Sequence, residues 1–209
     1  MSQERAILFV TMVGAMVKQD GFSESELDEL VERARTQGEA LTALYECMVD
    51  SVFRFCVVRV ADKAAAEDIC SEVFLNVARG IRSFRGSTYT DFRNWVFAIA
   101  ANQVNGYLRK TLRRARLLQT RSDDFTPPVA DGPGALETLD WPVLHEAILQ
   151  LKPQHQTILT LRFFENLDYA SIGAIVHLRT GAVRVTLHRI LKKLRRHMLA
   201  PDVEGRNDG

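Results

Sequence analysis

The stretch Asp168-Tyr169-Ala170-Ser171-Ile172-Gly173, continued by Ala174 to Arg179 and closed by Thr180-Gly181-Ala182-Val183-Arg184-Val185-Thr186-Leu187-His188-Arg189, decides the fold. Asp168 is suited to cap a helix, because its carboxylate can accept from the free amides of the first turn. Ile172, Ile175 and Val176 then recur at i, i+3 and i+4 and give one apolar stripe. That helix should end near His177. Thr180 can cap a second one, with Val183, Leu187, Ile190, Leu191 and Leu194 on its inner face. The connection is so short that both stripes must share one small core. The outer face of the second helix would carry Arg184, Thr186, His188, Arg189, Lys192, Lys193, Arg195 and Arg196, with no acid from Arg184 to Arg196. Two short helices at a tight turn, the second one basic, make a helix-turn-helix, which sets its second helix in the DNA major groove. The blander account, a solvated basic helix without a nucleic-acid role, is not removed by this stretch alone.

The chain has 209 residues, enough for one large or two small domains. With 46% hydrophobic and 25% charged residues it has the composition of an ordinary globular protein. The net charge of +1 is uninformative, so the distribution of charge carries the signal. Six basic residues and no acid lie between Arg109 and Arg121. Acids gather instead at Glu24–Glu32, at Glu67–Glu72 and at Asp123–Glu137. Cys47, Cys56 and Cys70 have no paired spacing and read as reduced, buried thiols of a cytosolic protein. Neither they nor the five histidines cluster as a metal site would require, so no metal and no cofactor is expected. The apolar run Ala6 to Val17 is too short to span a bilayer, and Glu4 beside Arg5 denies it a positive leader. It reads as an extra helix on the first domain, without membrane insertion.

Upstream of the helix-turn-helix every periodic segment is helical. Ser23 and Glu26 form a capping-box pattern, followed by Leu27, Leu30, Val31 and Ala34, with Gly38 as the stop. A second helix should run from about Glu39 to Val60, burying Leu41, Leu44, Tyr45, Met48, Val52, Phe53 and Phe55. A third should run from about Lys63 to Arg79, with Ile69, Val73, Phe74 and Val77 inward and Glu67, Asp68, Ser71, Glu72 and Asn76 outward. After the polar loop from Gly80 to Tyr89, Thr90 can cap a long helix to about Leu118. Its stripe contains Phe92, Trp95, Val96, Ile99, Ala100, Val104, Tyr107 and Leu108. Pro127, Pro128, Gly132, Pro133 and Gly134 then break the pattern. The expected fold is all-α: two small helical domains joined by a flexible acidic linker, the C-terminal one a helix-turn-helix. The expected boundaries are an N-terminal extension at 1–22, a first domain at 23–121, a linker at 122–137, the helix-turn-helix domain at 138–199 and a tail at 200–209.

Three motifs in the first domain occur in a fixed order: Ala66-Glu67-Asp68-Ile69-Cys70-Ser71-Glu72-Val73-Phe74, then Ser83-Phe84-Arg85-Gly86, then Phe92-Arg93-Asn94-Trp95-Val96-Phe97-Ala98-Ile99-Ala100-Ala101-Asn102. Together with the helix-turn-helix behind a linker, this set resembles the bacterial RNA polymerase sigma factors of the extracytoplasmic-function (ECF) group. The resemblance covers about Asp28 to Arg196, interrupted by the linker. It implies a cytoplasmic, non-enzymatic protein that docks on core RNA polymerase, recognises promoter DNA and opens it for transcription initiation. The second domain would read the −35 element through Thr180, Arg184, Thr186, His188, Arg189 and Lys192. Arginine suits guanine edges or phosphates, and lysine at the far end of the helix suits phosphate.

The first domain would read the −10 element. Asn102 matches the family position that helps hold a flipped non-template base. Phe84, Arg85, Ser87, Thr88 and Tyr89 would wall the pocket, since aromatic faces and guanidinium planes suit unstacked bases. Arg93, Arg109 and Lys110 would track phosphates. Glu67, Asp68, Ser71 and Glu72 match the docking face for the polymerase clamp helices. Thr186 and His177 depart from the family pattern, as does Ser71, which replaces a common glutamine. Many members of the group are held by an anti-sigma protein, so one is an expected class of partner. The alternative from residues alone is a dimeric helix-turn-helix regulator that binds duplex DNA without polymerase. The ordered first-domain motifs speak against it.

Overall fold

The structure, a computed structural model, describes residues 22–119 and 147–199. Every element among them is helical. Helix α1 (Glu24–Ala34) starts at the expected capping box: the Ser23 hydroxyl accepts from the Glu26 amide at 3.4 Å, and the Ser23 amide donates to the Glu26 carboxylate at 2.6 Å. It buries Leu27, Leu30, Val31 and Ala34, as its spacing predicts. Gly38 does not stop this helix. It is the first residue of α2 (Gly38–Val60), and the chain turns between Arg35 and Gln37. Ala61, in the left-handed region with φ 57°, ends α2. The Asp62 carboxylate then accepts from the Ala65 amide and opens α3 (Lys63–Gly80). After a single 3-10 turn (Ile81–Ser83), the long helix α4 covers Tyr89–Gln119. Its cap is Thr88 and not Thr90. The Thr88 hydroxyl accepts from the Asp91 amide at 3.1 Å, and the Thr88 amide donates to the Asp91 carboxylate at 3.3 Å.

One core joins these helices. Leu44, Met48, Val52 and Phe55 of α2 meet Val73 and Val77 of α3 and Phe92, Val96, Phe97, Ala100 and Val104 of α4, all essentially closed to solvent. Phe55 and Phe97 pack edge to face with centroids 5.7 Å apart. Tyr45, expected inside, is 43% exposed. It stands over the rim of the core with its ring edge-on to Phe74. Cys56 and Cys70 are buried free thiols, and burial pushes them up to about 12 and about 11. Cys47, by contrast, is exposed.

The C-terminal helices are α5 (Pro153–Phe163), α6 (Tyr169–Val176) and α7 (Thr180–Leu199). Pro153 sits in the first turn of α5, where its missing N–H costs nothing. Ile158, Leu161, Leu167, Ile172, Val183, Leu187 and Ile190 form the core of this part. Leu191, expected there, is 42% exposed. The C-terminal helices also touch the first domain, α5 against α2 and α6 against α4. No helix among the described residues is long and apolar enough to cross a membrane. The Ala6–Val17 run, the linker expected at 122–137 and the tail lie outside the described residues.

Candidate nucleic-acid and polymerase interfaces

The turn between α6 and α7 is fixed by three residues. Asp168 caps α6, its carboxylate accepting from the amides of Ala170 at 2.8 Å and Ser171 at 2.9 Å and from the Ser171 hydroxyl at 2.8 Å. Those donors, the Ser171 amide foremost, hold the carboxyl below its usual range. His177 ends the helix in the left-handed region at φ 56°, ψ 44°. The Leu178 amide then donates back to the Gly173 carbonyl at 2.9 Å. Gly173 is required by the same turn: a Cβ there would lie 2.5 Å from the Leu178 carbonyl oxygen.

The turn sets the face that α7 presents. Val183, Leu187, Ile190 and Leu194 point inward. Thr180, Arg184, His188, Arg189, Lys192, Lys193, Arg195 and Arg196 are exposed. Thr186 departs from the expected outer face: it is half-buried on the flank of the helix. Arg184 is oriented by Tyr169, with its guanidinium carbon 5.1 Å from the ring centroid, and Arg162 lies over the same ring at 4.9 Å. The residue that periodicity misses is Val185. It is 51% exposed, one helical turn from Arg189 and on the face opposite Val183 and Leu187. The only sequence signal for it was an apolar residue out of phase with the stripe. An apolar side chain among cations on such a face suits a thymine methyl group. Val185→Ala is expected to flatten the preference for thymine at one position about fivefold, the scale of losing two buried methyl groups partly replaced by water. Base-by-base substitution of the bound duplex reads this out, and an unchanged preference at every position would remove Val185 from the contact set.

The loop before α4 is tightly seated. Phe84 stacks on Trp95 at 4.8 Å with planes 24° apart, and Phe92, fully buried, packs edge-on against Phe84. A Cβ on Gly86 would meet Phe84 at 2.4 Å and Asp91 at 2.5 Å, so only glycine fits beneath the stacked ring. Arg35 donates to the Gly86 carbonyl at 2.6 Å, and Asp28 accepts from the Tyr89 amide at 2.6 Å, which ties the loop to α1. Of the expected pocket wall, Arg85 and Ser87 are exposed. Phe84 and Tyr89 are half-buried, and burial pushes the Tyr89 hydroxyl up to about 12. The half-buried Thr88 spends its hydroxyl on the cap. Asn102, Arg109 and Lys110 are exposed along α4. Arg93 is half-buried, with an Nε that has no hydrogen-bond partner.

On α3 the exposed residues Asp68, Ser71, Glu72 and Leu75 fall at i, i+3, i+4 and i+7, which is one face. The Ser71 hydroxyl donates to the Glu67 carbonyl at 2.9 Å, so it is committed to its own helix. Leu75, 46% exposed at the C-terminal end of that face, is a second residue that pattern reading overlooks. An exposed apolar side chain one turn beyond two acids has the composition of a protein-docking patch, anchored by one side chain and oriented by charge. Glu67 stands to one side of the patch, 3.9 Å from Lys63.

A helix-turn-helix with a basic face, a seated aromatic loop and a separate acidic face on α3 together suit an all-α protein that binds DNA and a second macromolecule. Comparison with known proteins makes the class specific. Residues 44–114 match the family model for sigma-70 region 2, and residues 143–194 match that for sigma-70 region 4. The chain is 35% identical over 182 residues to the ECF RNA polymerase sigma factor BldN of Streptomyces coelicolor, across 83% of this chain and 66% of that one. It is 31% identical over 157 residues to the RNA polymerase sigma factor CarQ of Myxococcus xanthus, across 75% and 88%. Its fold is like that of the sigma factor RpoE of Bartonella quintana, solved with the anti-sigma factor NepR, at TM-score 0.60 and 19% identity over 78% and 97% of the two chains. The chain belongs to the sigma-70 family of RNA polymerase sigma factors, in the ECF group. These are transcription initiation factors, so the family is not one of enzymes.

Proposed function

We propose that this sigma factor works in the cytoplasm as a two-part promoter reader without chemistry of its own, and that the named side chains divide its tasks. Residues 23–121 dock on core RNA polymerase and read the −10 element, and residues 138–199 read the −35 element. Asp68, Glu72 and Leu75 supply the docking patch, with Glu67 at its edge. Arg184, Val185, His188 and Arg189 face the −35 bases, Lys192 and Thr180 the flanking phosphates. Arg85, Ser87 and Asn102 meet the opened −10 strand, while Arg109 and Lys110 track its backbone. The observation that carries this reading is the pairing of two separate faces, one basic on α7 and one acidic on α3, in a chain of this family. A dimeric duplex-binding regulator would have no use for the second. RpoE of Bartonella quintana was captured with an anti-sigma factor, and an anti-sigma protein is the further class of partner this reading implies.

Asn102 gives the sharpest residue-level test. In holoenzyme on a matched promoter, Asn102→Ala is expected to lower the fraction of open promoter about tenfold, equivalent to about 1.4 kcal/mol. Binding to the closed duplex should be unchanged. Permanganate reactivity of −10 thymines measures the first quantity and gel retardation at low temperature the second. Equal reactivity in variant and wild type would take Asn102 out of the melting step.

A further inference from the structure

Two arginines share one aromatic ring beside the turn. Tyr169 is the first residue of α6, so the Asp168 cap fixes its backbone, and its ring is half-buried. From α5, the Arg162 guanidinium carbon lies 4.9 Å from the ring centroid; from α7, that of Arg184 lies 5.1 Å away. Both fall within the distance of about 6 Å over which a guanidinium is attracted to an aromatic face. The two arginines differ in what else they hold. Arg162 Nη1 donates to the carbonyl of Leu167, a residue closed to solvent, at 2.9 Å. Arg162 is thereby tied to the core. Arg184 is exposed, and among the described residues it makes no hydrogen bond and no ion pair.

One arm of this arrangement is anchored and the other is free. Arg162 cannot swing away without giving up its carbonyl, so it braces the ring. Arg184 rests on the braced ring with its own donors still available. An arginine that moves freely in water loses rotamer freedom when a ligand fixes it, and one already resting on a ring loses less. Stacking also holds the plane of the guanidinium. Guanine offers two acceptors, O6 and N7, and a guanidinium meets both only when its plane is aligned with the base edge. A phosphate contact carries no base information and needs no such alignment.

The position of Arg184 suits the first of these tasks. It is the fifth residue of α7, near the end at which a recognition helix contacts base edges. Arg189, the other arginine assigned to the −35 bases, lies over no aromatic ring among the described residues. The ring therefore singles out one reader on the basic face. Resting on the sigma-factor reading, we propose that Tyr169, braced by Arg162, is a positioning residue for Arg184, and that through it α6 sets the preference for guanine at one position of the −35 element.

The test uses holoenzyme assembled from the full-length chain and core RNA polymerase. Each position of the upstream element is replaced in turn by the other three bases, and competition for the holoenzyme gives the preference at each. Arg184→Ala locates the position: a guanine preference should collapse there and nowhere else. Collapse at no position, or of a preference for another base, overturns the guanine assignment. Tyr169→Leu should lower the guanine preference at that same position about tenfold, the scale of one long side chain no longer held in place, and leave every other position within about twofold. Tyr169→Phe, which returns the ring without the hydroxyl, should restore it. On the Arg184→Ala background Tyr169→Leu should change no preference, whereas a general loosening of α6 against α7 would still add its own loss. Arg162→Met, which leaves the ring and the cap in place, should give a smaller loss at that position, about threefold. An unchanged preference there in Tyr169→Leu, or an equal flattening at every position, overturns the proposal. Should Tyr169→Leu lose its helical circular dichroism, Arg162→Met decides by the same two criteria. A parental holoenzyme with no upstream base preference at all would refute the sigma-factor reading itself, and would show before any variant is compared.

Discussion

The double variant Asp68→Arg/Glu72→Arg is expected to lose at least about 100-fold in affinity for core RNA polymerase, about 2.8 kcal/mol, while keeping its helical circular dichroism. Both residues are exposed on α3, on the side opposite Ala66, Val73 and Val77, which pack into the core. The fold therefore has little stake in them, and surface substitutions of this kind usually stay within about 0.5 kcal/mol of the parent. Docking has a large stake. Reversing two charges at i and i+4 turns attraction for a basic partner into repulsion, and like charges set face to face across an interface cost several kcal/mol. Leu75, one turn beyond Glu72, is unchanged, so the variant isolates the electrostatic part of the patch. Titrating labelled core polymerase measures the loss, and unimpaired binding at physiological salt would place the docking face elsewhere.

Gly173→Ala should cost the helix-turn-helix about 2–3 kcal/mol, a large loss for one added methyl group. The added Cβ would lie 2.5 Å from the Leu178 carbonyl oxygen, a backbone atom that cannot swing aside as a side-chain tip could. Relief requires α7 to move off α6, and overpacking of this sort costs about 1–3 kcal/mol before the turn's hydrogen bond from Leu178 is counted. Since Ile172 and Val183 share the core across that turn, a shift there re-aims Arg184 and Arg189 together. The expected readout is a lower melting temperature with loss of −35-dependent transcription. Gly181→Ala is the control, because nothing lies within 4 Å of its added Cβ. Equal melting temperatures for Gly173→Ala and the parent would mean the turn is not seated as described.

Most of the fold is legible in the sequence because its helices announce their own starts. Ser23 with Glu26 and Asp168 with Ser171 are caps whose partners lie within three residues, so local pattern suffices. The misplacements are also local in cause. Gly38 opens a helix instead of ending one, and Thr88 takes the cap two residues before Thr90 because Asp91 answers it from the third position of the turn. The apolar stripes that spacing predicts for α2 and α7 are wider than the buried ones: Tyr45 and Leu191 are apolar but stand at the edge of the core, 43% and 42% exposed. The functional faces were legible where charge marks them, at Glu72 or Arg189. They were hidden where an apolar residue sits on a polar face, at Val185 and Leu75, because periodicity assigns apolar residues inward. The hydrogen bonds that Arg59 makes to α5 were not legible at all. Arg59 lies inside an apolar helix run, and its acceptors Gln156 and Thr157 are almost a hundred residues away in sequence. No local rule pairs an arginine with neutral oxygens at that distance.

The central claim, that this chain directs polymerase to promoters, is tested most directly by transcription in vitro. Purified full-length protein is mixed with bacterial core RNA polymerase and fragmented DNA from its source, and RNA 5′ ends are mapped with and without the chain. The account predicts start sites that appear only with the chain and share two upstream elements, and that disappear with Asp68→Arg/Glu72→Arg. An identical set of start sites with and without the chain, using core polymerase shown to be competent with another sigma factor, would contradict it.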